Sequence, residues 1–175
     1  MSKYKILTND PSFTAWGFAV LNEHGNVIET GCIKTAPENK KRRIRKGDDT
    51  VRRVQEINRH LLSVIKHHNI NYILSELPHG SQNAAAAVMI GICIGIIQTL
   101  ADSLDVGVEW YSEQDSKKCV LGKKAATKHD MIEAIDNLYM VKWKNVKYSD
   151  EAVADALAVH YVASKQSPIL KLIKR

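Results

Sequence analysis

The chain has 175 residues, of which 45% are hydrophobic and 25% charged, and its formal net charge is +6. This composition excludes an intrinsically disordered chain. The length suits one domain with a hydrophobic core of its own, which we expect over residues 1–175. The positive charge is compatible with a polyanionic partner such as nucleic acid, although many basic proteins bind none.

The cysteines and the apolar runs narrow the class of protein further. Cys32, Cys93 and Cys119 form no CxxC pair and no Cys/His spacing, so we expect no zinc site and infer a reducing compartment. No secretory signal is recognisable, so the expected location is cytoplasmic, without membrane association. The apolar run over residues 83–101 approaches the length of a membrane span, but its polar flanks and its alanines and glycines favour a buried core helix.

Three strands are predicted at the start of the chain. Residues 4–10 form an apolar run that ends before Pro11, and residues 16–22 alternate between apolar and polar. Gly25 then marks a hairpin turn before a third run over residues 27–35. The three runs predict an antiparallel meander.

The middle of the chain alternates helices with strands. A polar and basic segment, residues 36–49, predicts a loop, and helical spacing follows from Thr50. A strand over residues 70–76, the apolar helix and a strand over residues 106–112 come next.

Three helices close the predicted fold. One ends at Gly122, one is capped by Thr127, and the last has Ser149 as its predicted N-cap. A basic and loosely held tail is predicted over residues 166–175. The complete order predicts an α/β protein with a mixed five-stranded sheet flanked by helices, as in the ribonuclease-H-like fold.

Four acidic residues stand where a catalytic site is expected. Asp10 and Glu76 each end a predicted strand, and their side chains meet at one sheet edge if the two strands are neighbours. Asp155 lies inside the apolar pattern of the last helix, and Glu151 lies one turn earlier on the same face. Taken singly, Asp10 suits a turn, Glu76 a solvated strand end, and Glu151 a helix cap together with Asp150. Asp155 is the hardest to explain in this way.

Convergent carboxylates predict a metal site. Like charges held together raise one another's pKa and destabilise the fold unless a cation is bound. Oxygen ligands suit Mg²⁺, with Mn²⁺ as a substitute. Two such ions about 4 Å apart activate a water and stabilise the leaving oxygen of a phosphodiester. The four acids therefore predict metal-dependent phosphodiester hydrolysis.

Four segments carry motifs of one known family, in the order of that family and over nearly the whole chain. They are an opening strand with an aspartate, a proline and a glycine-containing second strand (ILTNDPSFTAWGFAVL), a strand-end glutamate before a long helix (LSELPHGSQNAAAAVMIGICIG), an aromatic strand followed by two lysines (EWYSEQDSKKCVLGKKAATKHDMI), and an acidic helix (DEAVADALAVHY). Together they resemble the RuvC family of Holliday junction resolvases.

This resemblance implies roles for particular residues. Asp10, Glu76 and Asp155 correspond to metal-binding catalytic acids, and Lys117 and Lys128 correspond to lysines near the scissile phosphate. Solvated surface charge is the alternative for both lysines. The implied activity is the resolution of four-way DNA junctions by paired symmetric nicks, which implies a homodimer with two active sites. A helicase partner is not identified.

Two residues of the loop segment are assigned to nucleic-acid binding. His79 occupies the position where the family often has an aromatic wedge at the junction centre, and Asn83 opens the long helix. A histidine can stack on a base, but a plain surface position is the alternative.

The chain also departs from the family pattern. The fourth acid is expected three residues before the aspartate of the last helix, and this position is Ala152. Glu151 is the nearest substitute by helix geometry, and Asp150 is the second. Ser12 stands where the family has glycine, and Asn9 replaces an apolar residue. These departures indicate a divergent member, such as one from a phage.

A basic run in the segment 36–49 predicts contact with DNA phosphates, which is independent of sequence and sensitive to salt. A solvated loop is the alternative. Arg52, Arg53 and Arg59 extend the positive charge along the next helix. The residues of the run assigned to nucleic-acid binding are Lys40, Lys41, Arg42, Arg43, Arg45 and Lys46.

Other functions stay open at this stage. The same acids suit a nuclease for flap or branched DNA or for structured RNA. Because Ala152 stands where the fourth acid is expected, a junction-binding module without catalysis is another alternative. Half of an actin-like ATPase is a further alternative, since DPSFT is similar to a phosphate-binding turn, but that fold needs two such domains.

Overall fold

The computed structural model describes residues 4–38, 44–123 and 127–173. A five-stranded sheet in the order β3-β2-β1-β4-β5 forms its centre. The meander is antiparallel, and β4 and β5 run parallel to β1. This confirms the predicted mixed sheet. The strands are β1 (Lys5–Asp10), β2 (Ala15–Asn22), β3 (Val27–Lys34), β4 (Tyr72–Leu77) and β5 (Gly107–Ser112).

Helices cover both faces of the sheet. On one face α1 and α2 pack on the side chains of Leu7, Trp16 and Ile73. On the other face α5 is central, with Leu157 packed beside Ala19 and Leu21 of β2. The helices are α1 (Lys46–His68), α2 (Ala84–Leu104), α3 (Glu113–Leu121), α4 (Lys128–Leu138), α5 (Lys147–Gln166) and α6 (Pro168–Ile173).

The two faces follow from the residue alternation in the inner strands. Successive side chains of a strand point to opposite faces, and β2 is apolar at nearly every position because it is covered on both sides. Gly17 of β2 lets α5 approach closely, since a Cβ atom added there would lie 2.1 Å from the carbonyl oxygen of Ala152. A backbone this close to the sheet leaves room only for small residues on the facing side of α5.

Two predicted irregular segments are partly helical. α1 begins at Lys46, so the prediction of a loop over residues 36–49 is wrong for its last four residues. Asp48 and Asp49 lie in the first helical turn, where the helix dipole favours acids. The tail predicted over residues 166–175 contains α6, and Leu170 is buried against the sheet. This apolar contact holds the segment, so the prediction of a loose tail is wrong there.

The predicted N-cap of the last helix is also wrong. α5 begins at Lys147 and not after Ser149, which is buried inside its first turn. The N-cap is Val146, and the two carboxylate oxygens of Asp150 accept the backbone N–H groups of Lys144 at 3.1 Å and of Val146 itself at 3.0 Å. A side chain inside the helix therefore satisfies the backbone N–H of the N-cap residue.

α2 is less buried than its sequence predicts. Its buried residues are five of twenty-one, because α2 covers the sheet with one face only. The prediction of a buried core helix is therefore wrong for its other face. Among the helices of the described ranges, α2 alone has the length and composition to cross a membrane, a property that core helices of water-soluble proteins share.

Candidate active site

Two carboxylates meet where neighbouring parallel strands end. Asn9 of β1 is paired with Ser75 of β4, so Asp10 and Glu76 are the next residues on adjacent strands. Both side chains are partly buried. The strand-end prediction is confirmed in its geometry, because β1 and β4 are central neighbours in the sheet.

α5 brings the third carboxylate to the same edge. Asp155 is 6% exposed, and the next residue, Ala156, accepts a hydrogen bond of 2.6 Å from the Thr8 hydroxyl of β1. This bond fixes the rotation and height of α5 over the end of β1. Asp155 then acts electrostatically on both Asp10 and Glu76. These three residues are called the acid cluster below.

The acid cluster is electrostatically costly without a cation. Burial, followed by the charge of Asp155, raises the pKa of Asp10 to about 7. Burial, followed by the charges of Asp10 and Asp155, raises the pKa of Glu76 to about 9. Burial also raises the pKa of Asp155, although Lys128 opposes this effect. The three carboxylates are therefore harder to ionise than free ones, because they are buried and Asp10 and Glu76 are repelled by the charges of their neighbours.

Among the described residues, Lys128 is the cation that pairs directly with the cluster. Its ammonium group forms a salt bridge and hydrogen bond with Asp155. Burial lowers the pKa of Lys128, but Asp155, Asp10 and Glu76 raise it by more, so the net shift is upward. Lys117 is more distant and pairs with Glu113 on its own helix, yet its charge also acts on Asp155. Both predicted lysines thus face the site.

The predicted substitutes for a fourth acid behave differently. Both carboxylate oxygens of Asp150 accept backbone N–H groups, from Lys144 and Val146. Glu151 is partly exposed. In the described residues, the charges that perturb the acid cluster come from its own members and from Glu113, Lys117 and Lys128. The sequence-based choice of Asp150 is therefore not supported.

Sequence reasoning missed Glu113. It begins α3 directly after β5, and β5 pairs with β4 so that Tyr111 lies opposite Glu76. Its negative charge raises the pKa of Asp10 and of Glu76. The signal was present in the sequence, since an acid directly after a strand parallel to β4 falls at the same sheet edge.

Two further contacts support Asp10. The Asn9 side chain accepts a hydrogen bond of 3.1 Å from the Trp16 indole, which explains a polar residue where the family pattern is apolar. Both residues are fully buried. The second concerns Cys32, whose pKa is raised by burial. The charge of Asp10 raises that pKa further, and the charges of Lys34 and Lys144 lower it. Lys34 and Lys144 are thus a second group of positive charges near the end of β3.

The predicted nucleic-acid residues are spread over two regions. His79 lies in the loop after β4, with its Nε2 3.9 Å from a Glu113 oxygen. Asn83 is the N-cap of α2 and accepts the Ala86 N–H at 3.1 Å. Arg45 and Lys46 are exposed at the start of α1, where Arg45 pairs with Asp48. The predicted residues Lys40, Lys41, Arg42 and Arg43 lie outside the described residues.

The predicted positive face of α1 is weaker than expected. Arg52 is bound by Asp49 and Glu56. Arg53 is buried, where it donates to the Phe13 carbonyl at 2.9 Å and stacks on the Phe13 ring. These two arginines stabilise the fold, because their guanidinium groups are paired with acceptors of the protein itself.

The residues at this edge fit a hard divalent cation. Within the described ranges no three His, Cys, Asp or Glu side chains stand in a ready-made metal-binding arrangement. Lys128 instead occupies the carboxylate of Asp155. The donors are nevertheless all carboxylate oxygens, which hard divalent cations prefer. The pKa values of Asp10 and Glu76 are raised in part by mutual repulsion, and a bound cation would reduce this repulsion.

The fold and the site together define a class. A mixed sheet in the order β3-β2-β1-β4-β5 with helices on both faces is the ribonuclease-H-like fold, and solved structures share it. Residues 6–162 match the family model described as crossover junction endodeoxyribonuclease RuvC. The chain therefore belongs to the RuvC family, which confirms the resemblance found in the sequence.

Individual relatives agree with this assignment. The crossover junction endodeoxyribonuclease RuvC of Pseudothermotoga lettingae is 29% identical over 153 residues, covering 86% of this chain and 87% of the relative. The structure of Thermus thermophilus RuvC in complex with Holliday junction substrate has a TM-score of 0.70 and 19% identity, covering 93% and 96% of the two chains. The yeast mitochondrial Holliday junction resolvase Ydc2 has a TM-score of 0.64 and 12% identity, covering 98% and 82%.

Proposed function

We propose that this protein is an endonuclease that resolves four-way DNA junctions by paired nicks. The observation that carries the proposal is the acid cluster, which β1, β4 and α5 bring to one sheet edge in a chain of the RuvC family. The named relatives act on crossover junctions, and the shared family supports the same substrate class here.

Each residue of the site has a distinct task in this proposal. Asp10, Glu76 and Asp155 hold the divalent cations, Mg²⁺ or Mn²⁺, by their carboxylate oxygens. The cations, when bound, supply an activated water and stabilise charge at the scissile phosphate. Lys128 and Lys117 place positive charge beside the acids, where it attracts and neutralises the phosphate.

DNA contact is proposed for two basic regions of the chain. Arg45 and Lys46 are exposed at the start of α1 and continue the run that includes Lys40–Arg43 in the sequence. Lys34 and Lys144 lie near Cys32, whose pKa the charge of Asp10 also affects. Phosphate contacts of this kind orient a duplex arm without reading its sequence. His79 and Asn83 lie in the segment between β4 and α2, and contact with the junction centre is proposed for this segment.

A homodimer follows from the demand for two symmetric nicks. The outward face of α2 supports it, because Val88 is 57% exposed and added Cβ atoms at Gly91 and Gly95 would meet nothing within 4 Å. Small residues at this spacing let two helices approach closely. The second copy of this chain is therefore the proposed occupant of this face, and the cytoplasm is the proposed location.

The test uses a labelled synthetic four-way junction beside a linear duplex of the same sequence. Both are incubated with the protein in Mg²⁺ or in EDTA, and the products are separated on a denaturing gel. We expect paired symmetric nicks in the junction only, and only with Mg²⁺. Equal cutting of flaps or structured RNA would change the substrate class. Junction binding without nicks would indicate a catalytically inactive binding module.

A further inference from the structure

α5 contributes a single carboxylate to the acid cluster. The position one turn before Asp155 is Ala152, whose Cβ lies 2.8 Å from the point where a Cβ on Gly17 would stand. Gly17 is paired with Asp10, so this part of α5 lies directly beside the site but offers only a methyl group. Asp150 is occupied by backbone N–H groups. Ala152 and Asp150 therefore supply no further acid to the site, which leaves Glu151 and acids on other elements as candidates.

Glu113 lies at the edge where the acid cluster is formed. β5 ends at Ser112, opposite Leu77 of β4, so Glu113 follows one step beyond the strand that neighbours Glu76. Its charge acts on Asp10, Glu76 and Asp155 alike. Lys128, which pairs with Asp155, acts in turn on Glu113. Glu113 thus interacts electrostatically with the acid cluster, although it lies on α3 and not on α5.

Two neighbouring groups orient the Glu113 carboxylate. One oxygen pairs with the ammonium of Lys117, one turn later on α3. The other lies 3.9 Å from Nε2 of His79, in the loop that follows Glu76. Partners of this kind fix the orientation of metal-binding carboxylates in proteins. The Glu113 side chain is 36% exposed, so it is accessible to an ion from solvent.

We propose that Glu113 supplies the fourth carboxylate of the divalent-cation site, in place of Glu151 on α5. This inference rests on the proposed function, because it assumes that the acid cluster binds cations. The fourth acid has then moved from α5 to the start of α3, and Lys117 and His79 act as its positioning residues. The site is thereby built from four elements of the chain.

The test measures Mn²⁺ affinity directly, by electron paramagnetic resonance of the free ion in the absence of DNA. The compared proteins are wild type, Glu113→Gln, Glu151→Gln and Asp115→Asn. Asp115 is a matched control, since it lies in the same turn of α3 and caps the helix with Ser112. We expect Glu113→Gln to weaken Mn²⁺ binding by about 10-fold or more. The other two variants are expected to stay within about 2-fold.

The outcomes separate this inference from the proposed function. Glu151→Gln weakening Mn²⁺ binding as much as Glu113→Gln would overturn the assignment of the fourth acid. An equal loss in Asp115→Asn would overturn it as well, because the effect would then be long-range charge alone. Asp10→Asn is measured in the same series, and unchanged Mn²⁺ binding in that variant would contradict the proposed function itself. Circular dichroism melting of each variant confirms folding.

Discussion

α5 and α2 are two helices of similar length whose burial is the reverse of what their composition predicts. α2 is the more apolar, yet five of its twenty-one residues are buried. α5 carries several charged and polar residues, yet thirteen of its twenty are buried, including Asp150, Asp155 and His160. α5 lies across the sheet centre, while α2 packs with one face only.

The difference teaches how this fold uses small residues. Alanines on α5 and Gly17 on β2 bring the helix backbone close to the sheet, and this approach carries Asp155 to the strand ends. Gly91 and Gly95 of α2 point away from the sheet instead, and no described residue outside their own helical turn lies within 4 Å of a Cβ atom added at either. α5 contributes to an internal site, and we infer that α2 contributes to the contact with a partner copy.

The largest expected effect separates the two helices by function. Asp155→Asn on α5 is expected to lower junction cleavage by about 10³-fold or more, which corresponds to about 4 kcal/mol of activation free energy. The reason is the loss of a cation ligand at unchanged side-chain size. Asp105→Asn, at the exposed C-cap just beyond α2, is the control and should cleave as wild type does, since asparagine suits the left-handed backbone there. The measurement is single-turnover cleavage, with junction affinity determined in parallel. Normal cleavage by Asp155→Asn would show that the acid cluster is misplaced.

The next prediction concerns the free face of α2. Val88→Glu is expected to weaken self-association by about 2 kcal/mol or more, because a charge would be buried at the centre of the interface. Sedimentation velocity over a concentration series measures the dissociation constant. Ile28→Glu is the matched control, since Ile28 is similarly exposed, at 45%, but lies on β3. If both variants dissociate equally or neither does, α2 does not form the interface.

A pH prediction distinguishes the acid cluster from the rest of the chain. The pKa of Glu76 is raised to about 9 in the folded protein, so the folded state binds more protons than the unfolded state above the ordinary glutamate pKa. Stability is therefore fully present at low pH and is lost as pH rises toward 9. Glu76→Gln should flatten this decline, and Mg²⁺ should reduce it in wild type.

Thermal unfolding between pH 5 and pH 9 measures this effect. Each kcal/mol corresponds to about 2–4 °C in Tm for a chain of this length. Asp105→Asn serves again as the control and should keep the wild-type pH dependence. A wild-type decline that is unaffected both by Mg²⁺ and by Glu76→Gln would contradict the electrostatic account of the site.

The smallest expected effect concerns the contact that positions α5. Thr8→Val removes the hydroxyl that donates to the Ala156 carbonyl and should cost about 1 kcal/mol of unfolding free energy. Urea denaturation measures this loss, and cleavage should fall in the same variant because Asp155 shifts with the helix. Thr50→Val is a control with a hydroxyl bond inside one helix. Equal cleavage in both variants would show that this tether does not set the position of Asp155.

Much of this architecture could be predicted from the sequence. Strand-end acids and an acid within an apolar helix were readable, because strand periodicity and chain order set their places. The start of α5 was not, since Asp150 reaches back to backbone groups that a local pattern does not reveal. Glu113 was missed because its significance depends on the pairing of β5 with β4. The exposure of α2 depends on which helices cover each face, which composition alone does not determine.

The most direct test of the central claim is a crystal structure of the protein grown with Mn²⁺, with anomalous diffraction recorded to locate the ion. The account predicts Mn²⁺ bound between the carboxylates of Asp10, Glu76 and Asp155, with the Lys128 ammonium displaced from Asp155. Manganese found only elsewhere on the protein, with the Lys128–Asp155 pair intact at a saturating concentration, would contradict it.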